Sequence, residues 1–166
     1  MKALVFDISS EGLEPVQHRI VGITIKTDSE EKIFTDREET KVLVDFWKYL
    51  NDNNFEMIIG FNSEGFDVPF LLVRSVKYGL KMANVKDKFM DLRKMIFGDE
   101  HRKGKLQDFQ NLLGIEKLKS GFAKSHMSLL WDEKARHIEN LNDLLLQDVR
   151  ITWELYLKMK EVGMIG

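Results

Sequence analysis

Residues 58–80 read IIGFNSEGFDVPFLLVRSVKYGL, and the reading of this stretch decides the fold. Glu56 to Phe61 is a short apolar run, as expected of a strand buried inside a sheet. Asp67 to Tyr78 reads as a helix, with Pro69 in its first turn, where a missing N–H costs nothing, and Gly79 at its end. A strand feeding directly into a helix implies a crossover, and a crossover implies a parallel partner strand.

Upstream, residues 2–9 alternate two ways. Leu4, Phe6 and Ile8 fall on one face and Ala3, Val5 and Asp7 on the other. A strand apolar on both faces belongs in the middle of a sheet. Gly12 and Pro15 mark a turn, and Arg19 to Lys26 and Lys32 to Thr35 continue as a meander. Glu38 to Leu50 carries apolar residues at 42, 43, 46, 47 and 50, a helical spacing closed by Asn51 to Asn54. Downstream, Lys88 to Leu92 reads as a further short strand, with helices at 105–113, 125–131 and 141–161. The expected architecture is α/β: an antiparallel three-strand meander plus parallel strands in one mixed sheet, flanked by helices. Pattern alone leaves several folds of this class open.

A chain of 166 residues fits a single domain spanning 1–166, and two prolines leave no linker to divide it. With 43% hydrophobic and 31% charged residues the composition is that of an ordinary soluble protein. No run approaches the ~18 apolar residues of a membrane span. The opening MKALVFDISS is a first strand rather than a signal peptide. There is no cysteine, which excludes disulfides, thiolate nucleophiles and cysteine zinc sites, and a cytoplasmic location is expected. The net charge of −2 argues against a strongly basic nucleic-acid coat. Residues 93–124 nevertheless hold eight Lys/Arg against four acids, a local surplus able to meet a polyanion.

Three aspartates stand where a core would not choose them. Asp7 lies near the end of the first strand, on the side of Ala3 and Val5. Asp67 follows Phe66 at a helix start. Asp148 shares a helical stripe with Leu141, Leu145 and Thr152, so it is expected to face inward. Burying a lone carboxylate costs several kcal/mol or forces its protonation. Each has an ordinary explanation: a strand-end turn, a helix N-cap, a buried ion pair. Their meeting around a shared cation explains all three together. Carboxylates without His or Cys companions suit Mg²⁺ or Mn²⁺ rather than zinc or copper, and histidines 18, 101, 126 and 137 show no ligand spacing. Such ions can sharpen an attacking water and stabilise a leaving oxygen at a phosphodiester.

Asn62-Ser63-Glu64-Gly65-Phe66-Asp67 fits the second motif of the DEDD exonuclease superfamily: Asn, two or three residues, an aromatic, then Asp. The whole of residues 58–80, with its Gly-aromatic-Asn opening, Pro69 and Arg74, resembles the proofreading 3′–5′ exonuclease domain of family-B DNA polymerases. FDIS at 6–9 resembles the first motif, and LLLQDVRITWELY at 144–156 the third. The resemblance runs from residue 4 to about 157 and is most specific in the second motif. It implies an RNase H-like fold and a metal site at Asp7, Asp67 and Asp148. It also implies contact of Phe61 and Asn62 with a 3′-terminal nucleotide. Arg93, His101, Arg102, Lys103 and Lys105 are candidates to track the phosphate backbone. The substrate it implies is single-stranded or 3′-end nucleic acid, DNA ahead of RNA, with a replication or repair protein as a possible partner.

Two positions depart from the pattern. Ser9 stands where the family has Glu; strand geometry keeps it on the side of Asp7, as a weaker, neutral metal ligand. Leu144 stands where the family has Tyr, and Asp143 where a variant has His. Glu11 could replace the missing Glu, and Asp143 the missing base, though a turn acid and a first-turn helix acid are the simpler readings. Three functions follow: a weak Mg²⁺/Mn²⁺-dependent 3′–5′ exonuclease; a catalytically impaired binding or accessory module for replication or repair; and an RNase H-like endonuclease, which leaves the Asn62–Asp67 motif unexplained.

Overall fold

β1 (Ala3–Ser10) runs through the middle of the sheet because both of its faces are apolar. The computed structural model describes residues 1–100, 103–118, 124–131 and 140–166, and for 124–126 and 128 the backbone alone. Among these residues one five-stranded sheet forms, in the order β3-β2-β1-β4-β5. β2 (Ile20–Lys26) and β3 (Glu31–Thr35) complete the antiparallel meander. β4 (Met57–Gly60) and β5 (Phe89–Asp91) add the parallel half. The mixed sheet expected from sequence is therefore present.

The two-way alternation of β1 sorts the core into two layers. Leu4, Phe6 and Ile8 pack with Phe46, Leu50, Phe70 and Leu71, which come from α1 (Glu39–Asn53) and α2 (Asp67–Lys77). Ala3 and Val5 pack with Ile59, Val149, Trp153 and Tyr156, the last three from α5 (Leu141–Glu161). Each buried Leu, Ile or Phe contributes roughly 1.5–3 kcal/mol, so the two layers together hold the helices against the sheet.

Three elements differ from expectation. α1 continues to Asn53 and stops where Asn54 takes a left-handed φ of 49°, a conformation asparagine tolerates. A six-residue helix, α3 (Leu92–Phe97), follows β5 directly; it is too short to display a period in sequence. The helix expected at 125–131 is a 3₁₀ segment, Lys124–Trp131. α4 (Leu106–Leu112) lies where a helix was expected.

Candidate active site

β1 and β4 pair only from Ala3↔Met57 to Val5↔Ile59. Beyond Val5 the two strands part, and the gap is met by the first residue of α2. Asp67 Oδ1 accepts the Ile8 N–H at 2.8 Å, a bond buried between elements 59 positions apart. Asp67 is itself buried. One carboxylate thus satisfies a strand N–H that has lost its sheet partner and fixes the start of α2 against β1. Asp7, Ser9, Phe61, Asn62 and Asp67 all line one cleft at this point.

Asp7 and Ser9 lie on the Ala3–Val5 side of β1, the side covered by α5. In register with them across the sheet stand Thr24 and Gly22. Gly22 has a specific steric reason to be glycine: a Cβ there would lie 1.8 Å from Met127 Sδ. Met127 belongs to the 3₁₀ segment and is 1% exposed. Its thioether thus rests on the strand position opposite Ser9, which is 5% exposed. Asp148 sits on α5 and is half-buried. The buried stripe of that helix runs through Leu146, Val149, Trp153, Tyr156 and Met159, while Leu144 and Leu145 are half-buried. Of the expected inward stripe, Leu141 and Thr152 are buried and Leu145 and Asp148 half-buried, because the face centred on Val149, Trp153 and Tyr156 offers more apolar area to the sheet. Asp148 borders the buried face rather than lying within it.

The loop between β4 and α2 is shaped by backbone rather than by apolar contact. Asn62 takes a left-handed φ of 60° and is exposed. The loop crosses so close to the strand end that a Cβ on Gly60 would fall 2.3 Å from Ser63 Cβ. Ser63 Oγ is buried with no hydrogen-bond partner among the described residues. Phe61 and Phe66 are half-buried. Phe61 meets Phe109 edge-on at 5.6 Å and Phe66 meets Phe70 at 4.8 Å, so each ring is shared between the core and the cleft.

A residue absent from the sequence expectations holds this loop. Asp91, at the end of β5, is 5% exposed. Its Oδ1 accepts the N–H groups of Asn62 at 2.9 Å, Arg93 at 3.0 Å and Lys94 at 3.2 Å, and its Oδ2 accepts that of Glu64 at 3.0 Å. Its sequence signal is faint: an Asp immediately before a helix is an N-cap.

Several candidates have other roles. Arg93 does not face a phosphate path. It is buried, and its guanidinium donates to the carbonyls of Glu100, Lys103 and Gly104, since a guanidinium placed beside three backbone acceptors is satisfied internally. Lys103 and Lys105 are exposed; Lys103 pairs with Glu100 at 2.8 Å. His101 and Arg102 lie outside the described residues. Glu11 borders the cleft but pairs with Arg19 at 2.6 Å. Asp143 accepts from Arg150 at 2.9 Å, and Arg150 also forks onto Glu31. Both acids are thus ion-paired, and Glu11 is exposed after β1 while Asp143 lies in the first turn of α5, as the simpler readings of them expect.

The cleft's donors, the Asp7, Glu11 and Asp67 carboxylates with the Ser9 and Ser10 hydroxyls and the Asn62 amide, are oxygen-rich and free of sulfur and imidazole. That chemistry fits a hard divalent cation. Among the described residues no group of three or more His, Cys, Asp or Glu side chains is placed to hold a metal ion. With Glu11 paired to Arg19, the residues that would hold such an ion are Asp7 and Asp67 with neutral oxygens.

The sheet order, the crossover into α2 and the carboxylates at the β1–α2 junction define a nuclease-like fold. The sequence profile of the RNase H superfamily matches residues 4–160, and the chain belongs to that superfamily. A protein of uncharacterised function from Methanocaldococcus jannaschii is 35% identical over 178 residues, 99% of both chains. A DNA polymerase of Archaeoglobus fulgidus is 33% identical over 86 residues, which are 49% of this chain and 11% of the polymerase. The solved family B DNA polymerase of Pyrobaculum calidifontis matches in structure with a TM-score of 0.76 and 23% identity, over 96% of this chain and 24% of the polymerase. The chain thus spans a quarter or less of the polymerases it matches. The resemblance to family-B polymerases read from residues 58–80 is borne out. No described helix is long and apolar enough to cross a membrane.

Proposed function

We propose that this chain, as one domain over residues 1–166, is a metal-dependent 3′–5′ exonuclease-like protein with reduced turnover. Its substrate is the 3′ end of single-stranded nucleic acid, DNA ahead of RNA. The observation that carries the reading is the shared cleft. Asp7 from β1 and Asp67 from α2 line it together, with Asn62 and Phe61 at the same wall. In this reading Asp7 and Asp67 hold Mg²⁺ or Mn²⁺, Ser9 adds a neutral oxygen, and Asp148 approaches from α5. The cation supplies charge neutralisation for the carboxylates and Lewis acidity at the scissile phosphate. Asn62 and Phe61 seat the terminal nucleotide, and Lys103, Lys105 and Arg102 follow the backbone behind it. Water attacks phosphorus, the bond to the preceding 3′ oxygen breaks, and that oxygen takes a proton as a nucleoside 5′-monophosphate leaves.

Ser9 and Leu144 favour a second reading, an accessory module that grips 3′ ends in replication or repair without cleaving them. The two part in one assay. A 5′-labelled single strand is incubated with the protein and Mn²⁺ or Mg²⁺, beside Asp67→Ala. Metal-dependent shortening that the variant lacks supports the enzyme. Binding without shortening supports the module. Neither binding nor shortening overturns both.

A further inference from the structure

We propose that Asp91, which lies outside the cleft, is the positioning residue for Asn62 and so sets how tightly the cleft holds a terminal nucleotide. This rests on the functional reading above. Four backbone N–H groups converge on the one carboxylate, from Asn62 and Glu64 on one side and Arg93 and Lys94 on the other. Asp91 pairs with Gly60 across β4 and β5, so its side chain starts level with the residue where the loop leaves the sheet. The Arg93 and Lys94 bonds cap α3; that much is ordinary N-cap work. The Asn62 and Glu64 bonds are different, because they reach back 29 and 27 positions and hold neither a helix nor a strand. They hold a loop whose Asn62 sits at φ 60° and whose Ser63 is pressed onto Gly60. Asparagine tolerates that left-handed conformation, and the contacts around it fix the peptide there. Asp91 holds the Asn62 peptide by its N–H, so the direction in which the Asn62 amide enters the cleft is set from behind.

The two functions of Asp91 can be taken apart by side-chain length. Serine caps a helix about as well as aspartate but is too short to span both α3 and the loop. Asp91→Ser therefore keeps the α3 cap and releases Asn62 and Glu64. Asp91→Asn keeps the three bonds to one oxygen and sets an amide N–H₂ against the Glu64 N–H. Asn62→Gly removes the amide while suiting a positive φ.

The test measures fluorescence anisotropy of a 5′-fluorescein oligodeoxynucleotide with a free 3′ hydroxyl, in Ca²⁺ buffer, for the full chain. A second oligonucleotide carries a 3′ phosphate. Asp91→Ser should weaken binding of the free 3′ end about tenfold, the scale of one lost charge-assisted hydrogen bond, with Asp91→Asn in between. The decisive reading is the double variant. If Asp91 acts through Asn62, Asp91→Ser with Asn62→Gly binds no more weakly than the worse single variant. Multiplying losses, or wild-type binding by Asp91→Ser, overturn the proposal. If the wild type binds neither oligonucleotide, the functional reading falls, and the clamp is judged by amide hydrogen exchange. Asn62 and Glu64 should then exchange faster in Asp91→Ser, or in Asp91→Asn at Glu64 alone should the serine variant fail to fold. Unchanged exchange overturns it.

Discussion

Asp67 and Ile8 share one hydrogen bond, carboxylate Oδ1 to backbone N–H at 2.8 Å, and it joins the second sequence motif to the first. The carboxylate that lines the cleft, and that the proposed function gives to the metal ion, also completes the strand carrying Asp7.

Charge and hydrogen bonding at Asp67 are therefore separable. Asp67→Asn keeps an acceptor for Ile8 and removes the charge, so we expect near-native stability with metal-dependent activity abolished. Asp67→Ala leaves a buried N–H without its acceptor and should cost a further ~1–3 kcal/mol. Urea unfolding of the two variants checks this; equal stability would mean that the bond contributes nothing.

Restoring the two departures from the exonuclease pattern should raise activity. Ser9→Glu with Leu144→Tyr adds an acidic ligand and a water-orienting hydroxyl, effects worth about two orders of magnitude in rate. Ser9 lies across from Gly22, on which Met127 rests, so adding Met127→Ala should increase the gain by making room. Single-strand hydrolysis in Mn²⁺ reports both, and no gain from either set would argue against the exonuclease reading.

Glu39 and Arg74 are 4% and 2% exposed and meet as a fork, Nε at 2.8 Å and Nη2 at 2.7 Å. Glu39 also accepts from the Ile20 N–H and the Tyr78 hydroxyl. Burial pushes the Glu39 carboxyl up, but Arg74, Ile20 and Tyr78 together hold it below the ordinary carboxylate value. Arg74→Met alone leaves a buried charge and should cost about 3–5 kcal/mol, whereas Arg74→Met with Glu39→Leu should recover most of that. Chemical denaturation distinguishes the two.

Acid should weaken the protein partly through Glu31. The Arg150 guanidinium, helped by Lys26, draws its carboxyl from the ordinary 4.5 down to about 2. A carboxyl held low in the folded state stabilises fully above the unfolded value and loses that contribution as pH falls from about 4.5 toward 2. Glu31→Gln should flatten the stability curve across that window while lowering stability at neutral pH. An unchanged slope would remove Glu31 from the acid response.

The layering was legible in the residues because it rests on local periodicity. The alternation of Leu4, Phe6 and Ile8 against Ala3 and Val5 reappears as the two core layers, and the helix expected at 141–161 spans those residues. What escaped was contact between distant backbone groups. Asp91 sits in a three-residue strand, and two of its partners lie 27 and 29 positions upstream. Arg93 looked like a phosphate ligand because a charge count cannot tell a solvated guanidinium from one bonded to three carbonyls. Asp148 is half-buried at the edge of that face, because a helical stripe read without its sheet does not say which of its members lie at the margin.

The early parting of β1 from β4, after three paired positions, has an architectural consequence. Past that fork β1 stays paired with β2 but no longer with β4, so the hairpin joining β1 and β2 projects over the carboxyl edge of the parallel strands, where open α/β sheets seat their ligands. Residues 11–18 form that overhang, anchored at its crest where Pro15 O accepts Arg74 Nη1 at 3.3 Å and otherwise outside the sheet ladder. Lengthening or trimming it would recut the aperture above Asp7 and leave the foundation beneath undisturbed, so descendants of this scaffold can change what they admit without relearning how to fold.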